Sequence, residues 1–94
     1  MEILHQEDNQ QGKFYIEQEG NILAEMVYTM TSPKNMTILH TEVDPSLGGQ
    51  GVGKTLLEHL VEFVRKENIK VYPQCPFAHT MFKRVKEWRD VLNN

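Results

Sequence analysis

The chain has 94 residues, with ten Lys plus Arg against 13 Asp plus Glu, for a formal net charge of −3. That length accommodates a single domain spanning residues 1–94, and 39% hydrophobic with 24% charged residues is a globular composition that excludes a disordered or collagen-like chain. No apolar run approaches the ~18–20 residues of a membrane span, the acidic start MEILHQEDNQQ does not read as a secretory leader, and the lone Cys75 excludes an internal disulfide framework or a multi-cysteine metal site. The expectation is a soluble cytoplasmic protein without a membrane partner.

The first half reads as strands. Residues 13–18 (KFYIEQ) are rich in aromatic and β-branched side chains, and Glu19-Gly20-Asn21 supplies a turn. From Ile22 the pattern alternates, with Ile22, Ala24, Met26, Tyr28 and Met30 on one face and Leu23, Glu25, Val27 and Thr29 on the other. Ser32-Pro33-Lys34-Asn35 is a second turn. Residues 36–43 form a third strand, with Leu39, Thr41 and Val43 opposite Ile38, His40 and Glu42. Three strands joined by short turns predict an antiparallel meander. The period then changes: Val52, Leu56, Leu60 and Val64, flanked by Leu57 and Phe63, repeat at helical spacing as far as Asn68. Residues 69–74 (IKVYPQ) read as a short strand that Pro73 bends or ends. Phe77, Met81, Val85, Trp88 and Leu92 mark a second amphipathic helix. The order β-β-β-α-β-α predicts an α+β fold, a mixed sheet with helices packed against it and one right-handed parallel crossover.

Charge is divided between the halves. Residues 1–50 hold two basic and eight acidic side chains, residues 51–94 eight basic and five acidic. The split suggests one end that attracts a cation and another that attracts an anion. The acidic total argues against nucleic acid, whose phosphate backbone calls for a dense basic face.

Four of the six glycines fall in the segment 48–53, GGQGVG, between a strand and a helix. Glycine there exposes backbone N–H groups and lets an anion approach closely. The helix N-terminus adds its positive dipole end, and Lys54 and Thr55 add donors. The expected ligand is a phosphate or pyrophosphate. Gly48 to Thr55 also matches the nucleotide-binding pattern G-x-x-x-x-G-K-[ST]. A P-loop nucleotide binder is nonetheless the remote reading: the preceding strands form a meander, and residues 69–74 offer no Asp for Mg²⁺.

Strand, Pro45, GGQGVG, amphipathic helix, short strand and final helix together resemble the acetyl-CoA-binding core of the GCN5-related N-acetyltransferases. That family's loop reads [QR]-x-x-G-x-[GA], and here Gly48 stands in place of the usual Arg or Gln. The chain is further similar to very small members of the family at His40-Thr41-Glu42-Val43, at the glycine loop, and at Cys75-Pro76-Phe77-Ala78. Where relatives carry His-Pro-Glu-aromatic, this chain has Val85-Lys86-Glu87-Trp88. The resemblance implies an acetyl-CoA site between two splayed parallel strands. The pantetheine arm would pair with backbone of Glu42 and Val43, and the pyrophosphate would rest on Gly48, Gly49, Gln50, Gly51, Val52 and Gly53, beside Lys54 and Thr55. Cys75, Pro76 and Phe77 would border the thioester.

Acetyl transfer to nitrogen needs a neutral amine, a polarised carbonyl and a proton for the leaving thiolate. Cys75 is the candidate nucleophile, by way of an acetyl-cysteine, with His40 as its activating base. The competing route is direct attack, with Glu42 or His40 removing the amine proton. His5, His59 and His79 are too dispersed for a metal set. The Lys83-Arg84-Lys86 run reads as a solvated helix face, with the 3′-phosphate of CoA as its alternative ligand. The predicted function is acetyl-CoA-dependent acetylation of an amine by a monomer or weak dimer, the other reading being a CoA-binding module with little catalysis.

Overall fold

The alternating first half folds as the meander its pattern predicts, with one strand more. The computed structural model describes residues 2–93. Strands β1 (Leu4–Glu7), β2 (Gln11–Gln18), β3 (Asn21–Ser32) and β4 (Asn35–Val43) pair antiparallel in sequence order. A 3-10 turn over Pro45–Leu47 leads through the glycine loop into helix α1 (Val52–Glu67), and β5 (Lys70–Pro73) returns parallel to β4. Helix α2 (Pro76–Arg84) and a second 3-10 segment, Lys86–Val91, complete the chain.

One face of the sheet holds the core. Phe14, Ile16, Ala24, Met26, Tyr28, Met36, Ile38 and Val71 are all buried on it. Leu56, Leu57, Leu60, Val61 and Val64 of α1 close over them, each fully buried aliphatic contributing on the order of 1.5–3 kcal/mol. Asn68, left-handed at φ 58°, ends α1 in a Schellman arrangement: Ile69 N–H donates to Val64 O at 2.8 Å and Asn68 N–H to Arg65 O at 3.4 Å. On the opposite face Lys13, Tyr15, Glu25, Val27 and His40 remain partly or fully exposed.

Three features differ from the sequence expectation. The added strand, β1, reads LHQE and has no apolar alternation. It is held from a distance: His5 stacks on Phe14 with centroids 4.0 Å apart, and its Nε2 lies 2.6 Å from the Tyr28 hydroxyl, which donates to Glu7 at 3.2 Å. Burial lowers the His5 pKa, and burial beside the Glu7 charge raises that of Tyr28. Gly12 lies opposite, where a Cβ would stand 2.3 Å from the Tyr28 hydroxyl oxygen. Second, the last helix stops at Arg84, because Val85 turns extended and Arg89 donates to the carbonyls of Phe82 and Lys83, which the helix leaves unpaired. Third, Leu39 is an extra residue in β4: Tyr28 pairs with Ile38 but the neighbouring Val27 pairs with His40. Beyond this bulge the phase reverses, so Thr41 and Val43 share the core face with Ile38, whereas His40 and Glu42 turn outward.

The C-terminal segment is clipped to α1 by Arg65, whose Nε and Nη2 donate to Asp90 at 3.1 and 2.7 Å. Hydrogen bonding from Arg65 holds the Asp90 carboxyl below the usual aspartate range. The pair is exposed and contributes at most about 1 kcal/mol. A carboxyl lowered on folding stabilises above its unfolded value of ~3.9, and that stabilisation is lost as pH falls through the folded value. Asp90→Asn is therefore expected to lower the melting temperature by up to about 4–8 °C at neutral pH and by less near pH ~2, as followed by circular dichroism. An equal loss at both pH values would assign the effect to packing.

Candidate active site

The site begins where two strands part. β5 follows β4 only as far as the pair Ile38 and Pro73. Gln74 N–H then turns back to Tyr72 O at 3.1 Å, and Cys75 N–H makes the last bond to β4, to Ile38 O at 2.9 Å. β4 continues to Val43 with β3 alone beside it. Asp44 N–H donates to Leu23 O at 2.7 Å, which sets the alternation of this end of the ladder. Glu42, in phase with Asp44, directs its peptide groups to β3, and those of Thr41 and Val43 face the open edge. Of the two residues expected to offer backbone for pairing, Val43 has its peptide groups on the open edge, as does Thr41, whereas those of Glu42 already face β3.

The chain next builds a row of donors. Asp44 caps the 3-10 turn, accepting from Ser46 N–H at 2.9 Å, and that bond lowers its carboxyl pKa. Leu47 anchors the turn in the core. Gly49 and Gly51 take left-handed φ values of 78° and 69°, with open space where a side chain would stand. From Gly49 to Lys54, no backbone N–H donates a hydrogen bond within the described residues. These groups include the first turn of α1, where the helix dipole adds partial positive charge. Thr55 behaves differently from expectation: its N–H and its hydroxyl both return to Gly51 O, each at 3.1 Å, so neither donor is offered outward. A groove of about 650 Å³ runs from Val43 along Gly48, Gly49, Gly51 and Gly53 to Phe77, Met81 and Arg84 of α2.

Cys75 stands across the fork from Thr41. It is 3% exposed, its Sγ lies 3.4 Å from Thr41 Oγ1, and it precedes Pro76 at the start of α2. His40 is elsewhere. It lies on the uncovered face, with Nε2 3.7 Å from a carboxylate oxygen of Glu25 and 3.7 Å from one of Glu42. The side chains of His40 and Glu42 are 51% and 76% exposed. No hydrogen bond joins His40 to Cys75 among the described residues. The expectation that His40 activates Cys75 is therefore corrected, because the Leu39 bulge turns the two to different sides. Glu25 and Thr41 are the neighbours that the sequence reading missed. Glu25 could have been found from the meander register, which sets it directly opposite Glu42. The ligand atoms of Glu25, His40 and Glu42 lie within 4.8 Å of one another, a donor set suited to a divalent cation or an ammonium group.

The P-loop reading finds no support in this geometry, since among the described residues β4 and β5 are the single pair of parallel strands and β5 carries no carboxylate. Among the described residues, no helix is long and apolar enough to cross a membrane.

Comparison with known proteins gives a consistent result. A family model described as GCN5-related N-acetyl-transferase matches residues 13–91. Among solved structures, a GCN5-like candidate N-acetyltransferase from Staphylococcus aureus is 37% identical with a TM-score of 0.75, the match covering 97% of this chain and 88% of that one. The ribosomal-protein-S18-alanine N-acetyltransferase of Escherichia coli is 22% identical with a TM-score of 0.66, over 83% of this chain and 53% of that one. An aminoglycoside acetyltransferase from an uncultured soil sample is 21% identical with a TM-score of 0.66, over 84% of this chain and 59% of that one. The chain thus spans little more than half of these two longer enzymes. No curated protein matches the sequence.

Gly53 offers a local test of the groove. A Cβ there would stand 2.7 Å from the tip of the Phe77 ring. That ring is 38% exposed and can swing aside into the groove. Gly53→Ala is expected to shift the melting temperature by no more than about 4–8 °C and to weaken CoA binding, measured by titration calorimetry, at least about tenfold. Undiminished affinity would show that this wall does not border the ligand.

Proposed function

This chain belongs to the GCN5-related N-acetyltransferase family, and we propose that it carries an acetyl group from acetyl-CoA to an amine by way of Cys75. The observation that carries this reading is the meeting at Val43 of an open strand edge with a row of free main-chain donors. An amide-rich pantetheine arm pairs with the peptide groups of Thr41 and Val43 as an added strand would. The N–H groups of residues 49–54 receive the diphosphate. The thioester then lies in the fork between Thr41 and Cys75.

Cys75 Sγ attacks the thioester carbon. The bond from that carbon to the CoA sulfur breaks, and the thiol proton passes to the departing sulfur. The Thr41 hydroxyl, 3.4 Å from Sγ, donates to the cysteine sulfur as charge develops there. In the second step the amine nitrogen takes the acetyl group, and its proton restores the Cys75 thiol. His40, with Glu25 and Glu42, holds the amine side of the reaction and accepts the proton of an incoming ammonium. The family neighbours named for a ribosomal protein and for an aminoglycoside take unlike acceptors. The acceptor here is assigned no further than an amine.

Incubation with acetyl-CoA alone, followed by peptide mass spectrometry, is expected to place one acetyl group on Cys75. Cys75→Ala is expected to lower kcat with an amine by roughly a hundredfold or more while still binding CoA. If Cys75→Ala loses only a few-fold and His40→Gln loses more, transfer is direct and the cysteine route is wrong. CoA binding without turnover across an amine panel would leave a binding module.

A further inference from the structure

The basic side chains are not equally engaged. Among the described residues, Arg65 is bound to Asp90, Arg89 to the carbonyls of Phe82 and Lys83, and Lys13 to Glu25. Lys34 and Lys70 donate to the carbonyls of Glu67 and Asp90. Lys54, Lys66, Lys83, Arg84 and Lys86 take part in no ion pair or hydrogen bond among the described residues, and of these five the groove over the glycine loop takes only Arg84 and Lys54. Both line the groove over the glycine loop, Lys54 from the first turn of α1 and Arg84 from the last residue of α2. No Asp or Glu lines that groove. The loop itself, GGQGVG, supplies main-chain donors and no cationic side chain. The backbone on either side of Arg84 is held in place, because Val85 N–H donates to Met81 O at 2.8 Å and Arg89 grips the carbonyl of Lys83.

We propose that Arg84 is a phosphate-binding residue, closing its guanidinium on a phosphate group of CoA from the α2 side of the groove, with Lys54 facing it from α1. The inference rests on the cofactor reading above and decides for Arg84 between the two readings the sequence left open for Lys83-Arg84-Lys86, a solvated helix face or a phosphate of CoA. A guanidinium matches a phosphate with paired parallel donors, whereas an ammonium offers only a point charge. Lys54 and Arg84 are both exposed, and two cations facing one groove with no carboxylate beside them make its potential favourable to an anion. Lys83, one residue earlier, lines a different surface with Tyr72, His79 and Arg89, so the two neighbours on α2 serve different sides.

The test is titration calorimetry of CoA against the full chain and three variants, Arg84→Gln, Arg84→Lys and Lys83→Gln, at two salt concentrations. Arg84→Gln is expected to weaken CoA about ten- to a hundredfold and to make binding less salt-sensitive. Arg84→Lys should recover part of the loss, and Lys83→Gln should match the parent chain. Unfolding melts establish that each variant is folded, which exposed positions on α2 permit. Undiminished affinity in Arg84→Gln overturns the proposal. So does equal weakening by Arg84→Lys and Arg84→Gln, which would mean that shape rather than charge is lost. If the parent chain itself gives no heat with CoA, the cofactor reading falls first and this inference falls with it.

Discussion

The parting of β5 from β4 at Ile38 is the constraint on which the site depends. Pro73 has no N–H, and Gln74 turns its own back to Tyr72. Cys75 N–H makes the final bond across the pair, to Ile38. Without this ending β5 would continue beside β4 and satisfy the peptide groups of Thr41 and Val43. With it, β4 keeps an open edge inside an otherwise paired sheet. The same ending fixes Cys75 at the start of α2, opposite Thr41. The peptide groups of that edge are free to pair with an extended amide-bearing chain, and Cys75 Sγ lies beside them, 3.4 Å from Thr41 Oγ1.

A single added residue then divides the chemistry between two faces. Had β4 kept strict alternation, His40 would share a side with Ile38, toward the core. Leu39 shifts the phase, sending His40 out to Glu25 and Glu42 and bringing Thr41 in to Cys75. Cys75 and His40 therefore stand on different sides of β4.

Much of this was legible because the signals are local. GGQGVG between strand and helix announces a loop of exposed main-chain donors from the φ freedom of glycine, and the spacing of Leu56, Leu60 and Val64 defines α1. The missed features depend on contacts far apart in sequence. β1 exists because Tyr28 and Phe14 hold His5, more than 20 residues from its hydroxyl partner in the first case. The bulge changes no residue type and so leaves no compositional mark. The stop at Arg84 depends on Arg89, whose side chain folds back over α2. Val85 had the correct spacing for a helix but the wrong neighbours to continue one.

The charge division of the sequence acquires a geometric meaning at Val43. Two grooves share this residue: one carries Lys54 and Arg84 and no carboxylate, the other Glu25, Glu42 and Asp44, with Lys13 and His40 beside the first of these. The acidic first half supplies one because it forms β3 and β4, and the basic second half supplies the other because it forms α1 and α2. Fields of opposite sign on either side of one strand end orient a ligand pair before any contact is made. An anion is favoured on the helical side and a cation on the uncovered sheet. In so short a chain the assignment of charge to strands or to helices is enough to separate the two.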